Sequence, residues 1–223
     1  KNATDLKQFS ILVDGVEIFC GNETGVDTIK ADNYTVVGTP TITSDGIASG
    51  FASNNYLKTP SLALKSTDNI KIKGEFTTSA VLNTTQTIIN YGEFIAVFID
   101  NNKLKVYEFN EYINSEYTLE VNKKYYFVYT TTYSGKNRKL ELFDENKAQI
   151  EQVELSSTST FSSPANLITI GIGKNKEYPF LGTINLNTFK IYTNDNLVYQ
   201  PCLKIPYIKT KGASKIVDSL YRD

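Results

Sequence analysis

The sequence contains no histidine, no methionine and no tryptophan, and only two cysteines, Cys20 and Cys202, among its 223 residues. Each absence removes a class of chemistry. Histidine is the commonest general base and metal ligand near neutral pH, so Ser-His and Cys-His nucleophile pairs are excluded. Two thiols without histidine do not make a structural zinc site. Without methionine the chain reads as a processed form, a fragment or the ordered part of something longer. No apolar run approaches the length that crosses a bilayer, and KNATDLKQFSILVDG at the start has no signal-peptide profile, so a soluble chain without membrane insertion is expected. A formal net charge of −1, with no Lys/Arg cluster among aromatics, leaves no field for a phosphate backbone. Nucleic acid is not an expected partner.

What is present is core material: 40% of the residues are apolar and 12% aromatic, which suits one folded domain rather than disorder. The apolar residues fall in short runs separated by Gly, Asn, Asp, Ser and Pro, none at helical spacing, which predicts an all-β, antiparallel β-sandwich. Ile168, Ile170 and Ile172 alternate with Thr169, Gly171 and Gly173, the period of a half-buried strand that ends near Gly173. After the polar loop KNKEYP, Ile184 and Leu186 and then Phe189 and Ile191 point inward. The phase changes at Asn187 and Thr188, which predicts a bulge. Phe94 to Ile99 is apolar on both faces and reads as a mid-sheet strand covered on both sides. Asp100-Asn101-Asn102 and Ser134-Gly135-Lys136-Asn137 have the chemistry of hairpin turns. Tyr117 to Glu120 is expected as a further strand. SSTSTFSSP, residues 156–164, reads as a surface loop, and the texture changes after Pro201, dividing a sandwich over 1–200 from a short non-sandwich C-terminal segment over 201–223.

The runs ILVDG (11–15), ITSDGIASGFASNNYLKTP (42–60), INYGEFIAVFIDNNKLKVYEF (89–109) and LEVNKKYYFVYTTTYSGKNRKLELFDENKAQI (119–150), followed by residues 167–192, together resemble the laminin-G-like or concanavalin-A-like jelly roll. Strand order and turn placement carry the resemblance, with Tyr125 where members often have tryptophan. The tail KTKGASKIVDSLYRD is similar to sequences that follow lectin-like domains in bacteriophage virion proteins, fibres and appendages included. The resemblance implies a non-catalytic recognition or display module on a virion or extracellular surface, binding a host-surface glycan or protein. Its partners would include other virion subunits, as a homotrimer. A purely structural virion domain and a glycan-active enzyme are the alternatives. A jelly roll often brings its terminal strands together, so Cys20 and Cys202 stand either as free buried thiols or as a disulfide. Calcium is the metal such relatives carry at the rim, and Asp45, Asp100, Asn101 and Asn102 are the oxygen-bearing loop residues for it. Those residue types also form turns without metal, and no cofactor is required.

Sugar recognition needs flat aromatic faces beside amides and carboxylates. Tyr91, Tyr107, Tyr112, Tyr133 and Tyr178 fall at strand ends or loops, and in the loop KNKEYP Lys174 and Asn175 join Tyr178 as expected ligand contacts. A glycosidase would need two facing carboxylates. Glu141 with Glu145, or Glu151 with Asp144, are the candidates, and their sequence setting reads as outer face and turn. Asn2, Asn22, Asn33 and Asn83 begin N-x-T sequons, no more than so Asn- and Thr-rich a composition produces by chance.

Overall fold

A computed structural model describes residues 10–13, 16–20, 34–62, 64, 67–92, 94–108, 111–132, 137–156 and 167–201. Among the described residues seventeen strands run in chain order: β1 (Ser10–Val13), β2 (Val16–Cys20), β3 (Thr35–Val37), β4 (Thr41–Ile42), β5 (Ile47–Ser49), β6 (Tyr56–Lys58), β7 (Ile70–Thr77), β8 (Gln86–Tyr91) and β9 (Ile95–Asp100). They continue with β10 (Lys103–Glu108), β11 (Glu111–Asn114), β12 (Lys124–Thr132), β13 (Asn137–Phe143), β14 (Gln149–Ser156), β15 (Ile168–Ile170), β16 (Thr183–Thr193) and β17 (Asn196–Tyr199). One sheet has the order β11-β10-β9-β8-β15-β6-β3. The other has the order β14-β13-β12-β7-β16-β5-β4, with β17 on β16, and every pairing is antiparallel. β1 and β2 pair with each other. The expected antiparallel sandwich is what forms. Among the described residues no helix is long and apolar enough to cross a membrane.

Alternation sets the layers. Ile70, Ile72 and Phe76 on β7, Tyr125, Phe127 and Tyr129 on β12, and Ile95, Val97 and Ile99 on β9 all turn into the space between the sheets. Burying each such side chain is worth about 1.5–3 kcal/mol, the main favourable contribution to the fold. Tyr125 packs its ring 5.8 Å from Phe76, and its hydroxyl accepts the amide of Glu120 at 2.9 Å. Burial pushes its phenol up to about 12.

The bulge in β16 forms as the apolar phase predicts. Leu186 and Phe189 are both buried, and the register with β7 breaks between Asn185 and Lys190. Thr188 satisfies the freed groups: its hydroxyl accepts the amide of Glu75 and donates to the carbonyl of Asn185, both at 2.9 Å. The β9–β10 hairpin turns on Asn101 and Asn102 at φ 50° and 63°, the left-handed region that Asn tolerates.

Two strand expectations need correction. Residues 117–120 form no strand; the strand lies earlier, at β11. The carboxylate of Glu151, on β14, accepts the amides of Glu116 and Tyr117 at 2.8 and 3.1 Å, taking donors a ladder would use. β9 is mid-sheet but buried on one face only; Ala96 and Phe98 face outward, where among the described residues no second layer covers them. The C-terminal segment after Pro201, the loop 157–166, the turn at 133–136 and the side chains of Cys20 and Cys202 lie outside the described residues.

Candidate ligand-binding groove

The outer face of the seven-stranded sheet carries a groove of about 900 Å3. Its floor follows from strand register. Thr87, Phe98, Lys105 and Asn114 are successive cross-strand partners on β8, β9, β10 and β11, and Asn90, Ala96, Tyr107 and Tyr112 make the adjacent row. Thr87 and Asn90 are three residues apart, a spacing that normally puts side chains on opposite faces of a strand. A bulge between Thr87 and Ile89 resets the phase, so Ile88 and Ile89 both turn inward and both polar residues reach the groove. Ala96 is the low point between Asn90 and Tyr107.

One wall is aromatic. The rings of Tyr107 and Tyr112 lie 5.2 Å apart, and Phe98 meets Tyr112 edge to face at 6.3 Å. The opposite wall is the loop after β15, which contributes Gly173, Lys174, Asn175, Glu177 and Tyr178. Tyr112 and Tyr178 are 55% and 53% exposed, so each offers an open ring face. The loop begins at Gly171, where φ is +84° and a Cβ would stand 2.1 Å from the Phe51 ring. Gly173 lets the backbone close onto Thr87, because a Cβ there would meet the Thr87 hydroxyl at 2.8 Å. The loop is then tied down: Thr87 donates its amide to the carbonyl of Tyr178 at 2.8 Å, Gly173 to that of Glu177 at 2.9 Å, and Phe180 to that of Gly171 at 3.0 Å. Asn175, Lys176 and Tyr178 all have positive φ, at 60°, 64° and 55°. Such backbone costs on the order of 1 kcal/mol or more per non-glycine residue and persists where surrounding bonds over-determine it. Beneath the loop the fully buried Gln86 accepts the amide of Leu181 at 3.1 Å and donates to the carbonyl of Val81 at 2.5 Å.

A half-buried ion pair completes the floor. Asp100 accepts from Lys105 at 2.8 Å, Thr85 at 3.0 Å and Asn101 at 3.3 Å. The Lys105 ammonium above all, with the Thr85 hydroxyl and the Asn101 amide, holds the Asp100 carboxyl below its ordinary value against the effect of burial. It is an ionised acceptor and no proton donor.

The expected contacts divide accordingly. Tyr107, Tyr112, Lys174, Asn175 and Tyr178 come together in this groove, with Asp100 in its floor. Tyr91 does not: it is fully buried and donates its hydroxyl to the carbonyl of Leu62 at 3.0 Å, which corrects its expected place at a ligand surface. Tyr133 lies outside the described residues. The proposed oxygen ligands are not gathered either. Asp45 sits in the β4–β5 turn of the other sheet, accepting the Thr43 hydroxyl, whereas Asp100, Asn101 and Asn102 form the β9–β10 turn. Among the described residues no group of three or more Cys, Asp or Glu could hold a metal ion. Thr87, Asn90, Phe98, Lys105, Asn114 and Glu177 are groove residues that sequence reasoning missed. For Lys105 and Asn114 the signal was available in period-two alternation on β10 and β11; for Thr87 and Asn90 the bulge hid it.

Three of the four carboxylates considered for catalysis have other partners. Glu141 pairs with Lys139 at 3.1 Å, Asp144 accepts the amides of Asn146 and Ala148 at 2.9 and 2.8 Å, and Glu151 holds residues 115–117. None faces another carboxylate across the groove, which these residues do not line.

No protein-family model and no curated protein matches the sequence. Solved structures do match. A protein of unknown function from Shewanella oneidensis MR-1 superposes with TM-score 0.50 at 10% identity, over 89% of this chain and 88% of that one. The basic winged bean lectin, solved with the Tn antigen, gives TM-score 0.52 at 9% identity, over 75% and 94%. Domain 4 of an extracellular arabinanase of Geobacillus stearothermophilus, solved with arabinotriose, gives 0.50 at 12%, over 74% and 84%. At such identities the likeness is one of shape, and the chain has the lectin-like jelly-roll fold.

Proposed function

We propose that this domain is a non-catalytic recognition module and that the groove on its seven-stranded sheet binds a neutral oligosaccharide. The observation that carries the reading is the convergence of Phe98, Tyr107 and Tyr112 on one wall and Tyr178 on the other, over a floor of Thr87, Asn90, Asn114 and the Asp100–Lys105 pair. Aromatic faces accept the apolar side of a sugar ring, while amides, hydroxyls and a paired carboxylate and ammonium bind its hydroxyls. Neutral sugar is favoured by charge. The lining holds two acids, Asp100 and Glu177, against two lysines, Lys105 and Lys174, and Lys105 is committed to Asp100. Sugar-bound relatives of the same fold, the winged bean lectin and the arabinanase domain, support glycan recognition at the level of analogy.

Turnover is not part of the reading. Glycoside hydrolysis requires a carboxylic acid kept protonated beside a second carboxylate. Asp100, held ionised by Lys105, is not that acid. Calcium is not part of it either, since the Asp100 oxygens are already engaged, and binding is expected to survive chelation. An extracellular or virion surface is the proposed setting, with a host-surface glycan as partner and a homotrimer as assembly. The resemblance of the sequence after Pro201 is what speaks for the virion version, and a monomer in sedimentation equilibrium would overturn the trimer.

The test is an array of neutral, sialylated and sulfated oligosaccharides, probed with the wild type and with Tyr112→Ala and Tyr178→Ala. Neutral oligosaccharides should be retained, and each variant should lose about tenfold in affinity or more, as an aromatic anchor does. Failure of the folded wild type to bind any sugar would leave the purely structural role.

A further inference from the structure

Behind the aromatic wall, on the inner side of the same hairpin, lies a buried charge cluster that the binding reading does not use. Tyr107 and Tyr112 are cross-strand partners, and so are their neighbours Glu108 and Glu111. Alternation turns the tyrosines outward and Glu108 inward. Two carboxylates directly opposite one another on adjacent strands repel. The guanidinium of Arg138 answers both: its Nε bonds Glu108 and its Nη1 bonds Glu111. Arg138 belongs to β13 of the other sheet, so the contact crosses the sandwich. Glu108 and Arg138 are 2% and 4% exposed, and Tyr129 of β12 adds a 2.8 Å hydrogen bond to Glu108.

β11 needs such support. Among the described residues it is a four-residue edge strand with β10 as its single sheet neighbour, so its ladder bonds are few. Its far end is also held from the opposite sheet, where Glu151 of β14 accepts the Ser115 hydroxyl and the amides of Glu116 and Tyr117. The strand that presents Tyr112 is thus suspended between two polar contacts from β13 and β14.

We propose that Arg138 is a positioning residue for the groove, fastening the β10–β11 hairpin from behind and so fixing the spacing of Tyr107 and Tyr112. The fork geometry matters. Two fixed N–H directions serve two carboxylates at once, which a lysine ammonium does not reproduce. With Arg138 gone, the buried Glu108 would lose its cation while still facing the partly exposed Glu111, and Glu108 Oε1 already has no hydrogen-bond partner among the described residues. The edge strand is the element free to move away.

This proposal rests on the groove being the binding face, but its test uses no ligand. Amide hydrogen exchange and Tyr107–Tyr112 ring contacts by NMR are measured in the wild type, in Arg138→Lys and in the uncharged triple variant Glu108→Gln, Glu111→Gln, Arg138→Met. The triple variant leaves no unpaired buried charge, so it guards against a lysine variant that fails to fold. In the folded variants the β11 amides should exchange about tenfold faster or more, the scale of one charge-assisted hydrogen bond, with β8 and β9 unchanged and the Tyr107–Tyr112 ring contact weakened. Exchange that is unchanged in β11, or that rises equally over the whole sheet, would overturn the positioning role. Because sugar binding is scored separately, a groove that binds no oligosaccharide would not be confused with a hairpin that Arg138 does not hold.

Discussion

Replacing Gly171 by alanine tests how the loop that forms one wall of the groove is seated. The added Cβ meets two penalties that can be separated. The first is local: at φ +84° an L-residue pays about 1–2 kcal/mol that glycine does not. The second is packing. The Cβ would stand 2.1 Å from Cδ1 and 2.3 Å from Cγ of Phe51, where carbons in contact prefer about 3.5–4.0 Å. Phe51 is buried, so its ring has little room to withdraw, and forced overpacking costs about 1–3 kcal/mol. Together the substitution should cost about 2–5 kcal/mol, or a fall in Tm of very roughly 5–15 °C for a domain of this size. Urea unfolding of Gly171→Ala, Phe51→Ala and the double variant decides the partition. Phe51→Ala alone should cost about 3–5 kcal/mol, yet in the double variant the steric part disappears, giving a coupling of about 1–3 kcal/mol. Additive losses, or a single-variant cost under about 1 kcal/mol, would refute the packing argument. Because the Gly171 amide donates to Ile88 at 2.8 Å and its carbonyl accepts Phe180, the same change should weaken oligosaccharide binding.

Other outcomes follow from single contacts. Burial alone would push the Glu151 carboxyl up, but the Ser115 hydroxyl and the amides of Glu116 and Tyr117 outweigh it and hold it below its ordinary value. Its stabilising contribution is therefore present above the ordinary carboxylate range, about pH 4.3, and lost as pH falls through the lower folded value. Thermal melts from pH 7 to 3 should show an acid loss in the wild type that Glu151→Gln lacks; parallel curves would refute it. Tyr125→Phe keeps the core ring but orphans the Glu120 amide, for a loss of about 1 kcal/mol in urea unfolding, with no change in sugar binding. Lys105→Met should lower sugar affinity and leave Asp100 as an unpaired acid in the floor; restored affinity for a cationic aminosugar in place of the neutral one is the accompanying readout, and unchanged neutral-sugar affinity would remove the pair from the site.

What could be read in advance was local. The turn at Asn101 and Asn102 depends on the residues that occupy it, and the β16 bulge on the phase of four apolar side chains within one strand. Tyr107, Tyr112 and Tyr178 are groove residues whose exposure follows from strand ends and loop chemistry. Tyr91 shows the limit. Counted in twos from Thr87 it shares that residue's face, but the bulge before Ile89 reverses the phase and sends the ring into the core. The missing strand at 117–120 has the same character, because its amides are taken from elsewhere: that of Tyr117 by the Glu151 carboxylate, that of Leu119 by the Asn102 carbonyl and that of Glu120 by the Tyr125 hydroxyl.

An all-β sandwich without histidine chemistry was legible from residue order alone, since alternation, turn residues and composition act over a few positions. Packing of the two sheets set which face is the groove, brought Phe98 and Lys105 beside the tyrosines, and carried Arg138 across the sandwich to the hairpin. Those depend on register between strands distant in sequence, and on whether a second layer covers a given face, quantities that no local pattern of residues encodes.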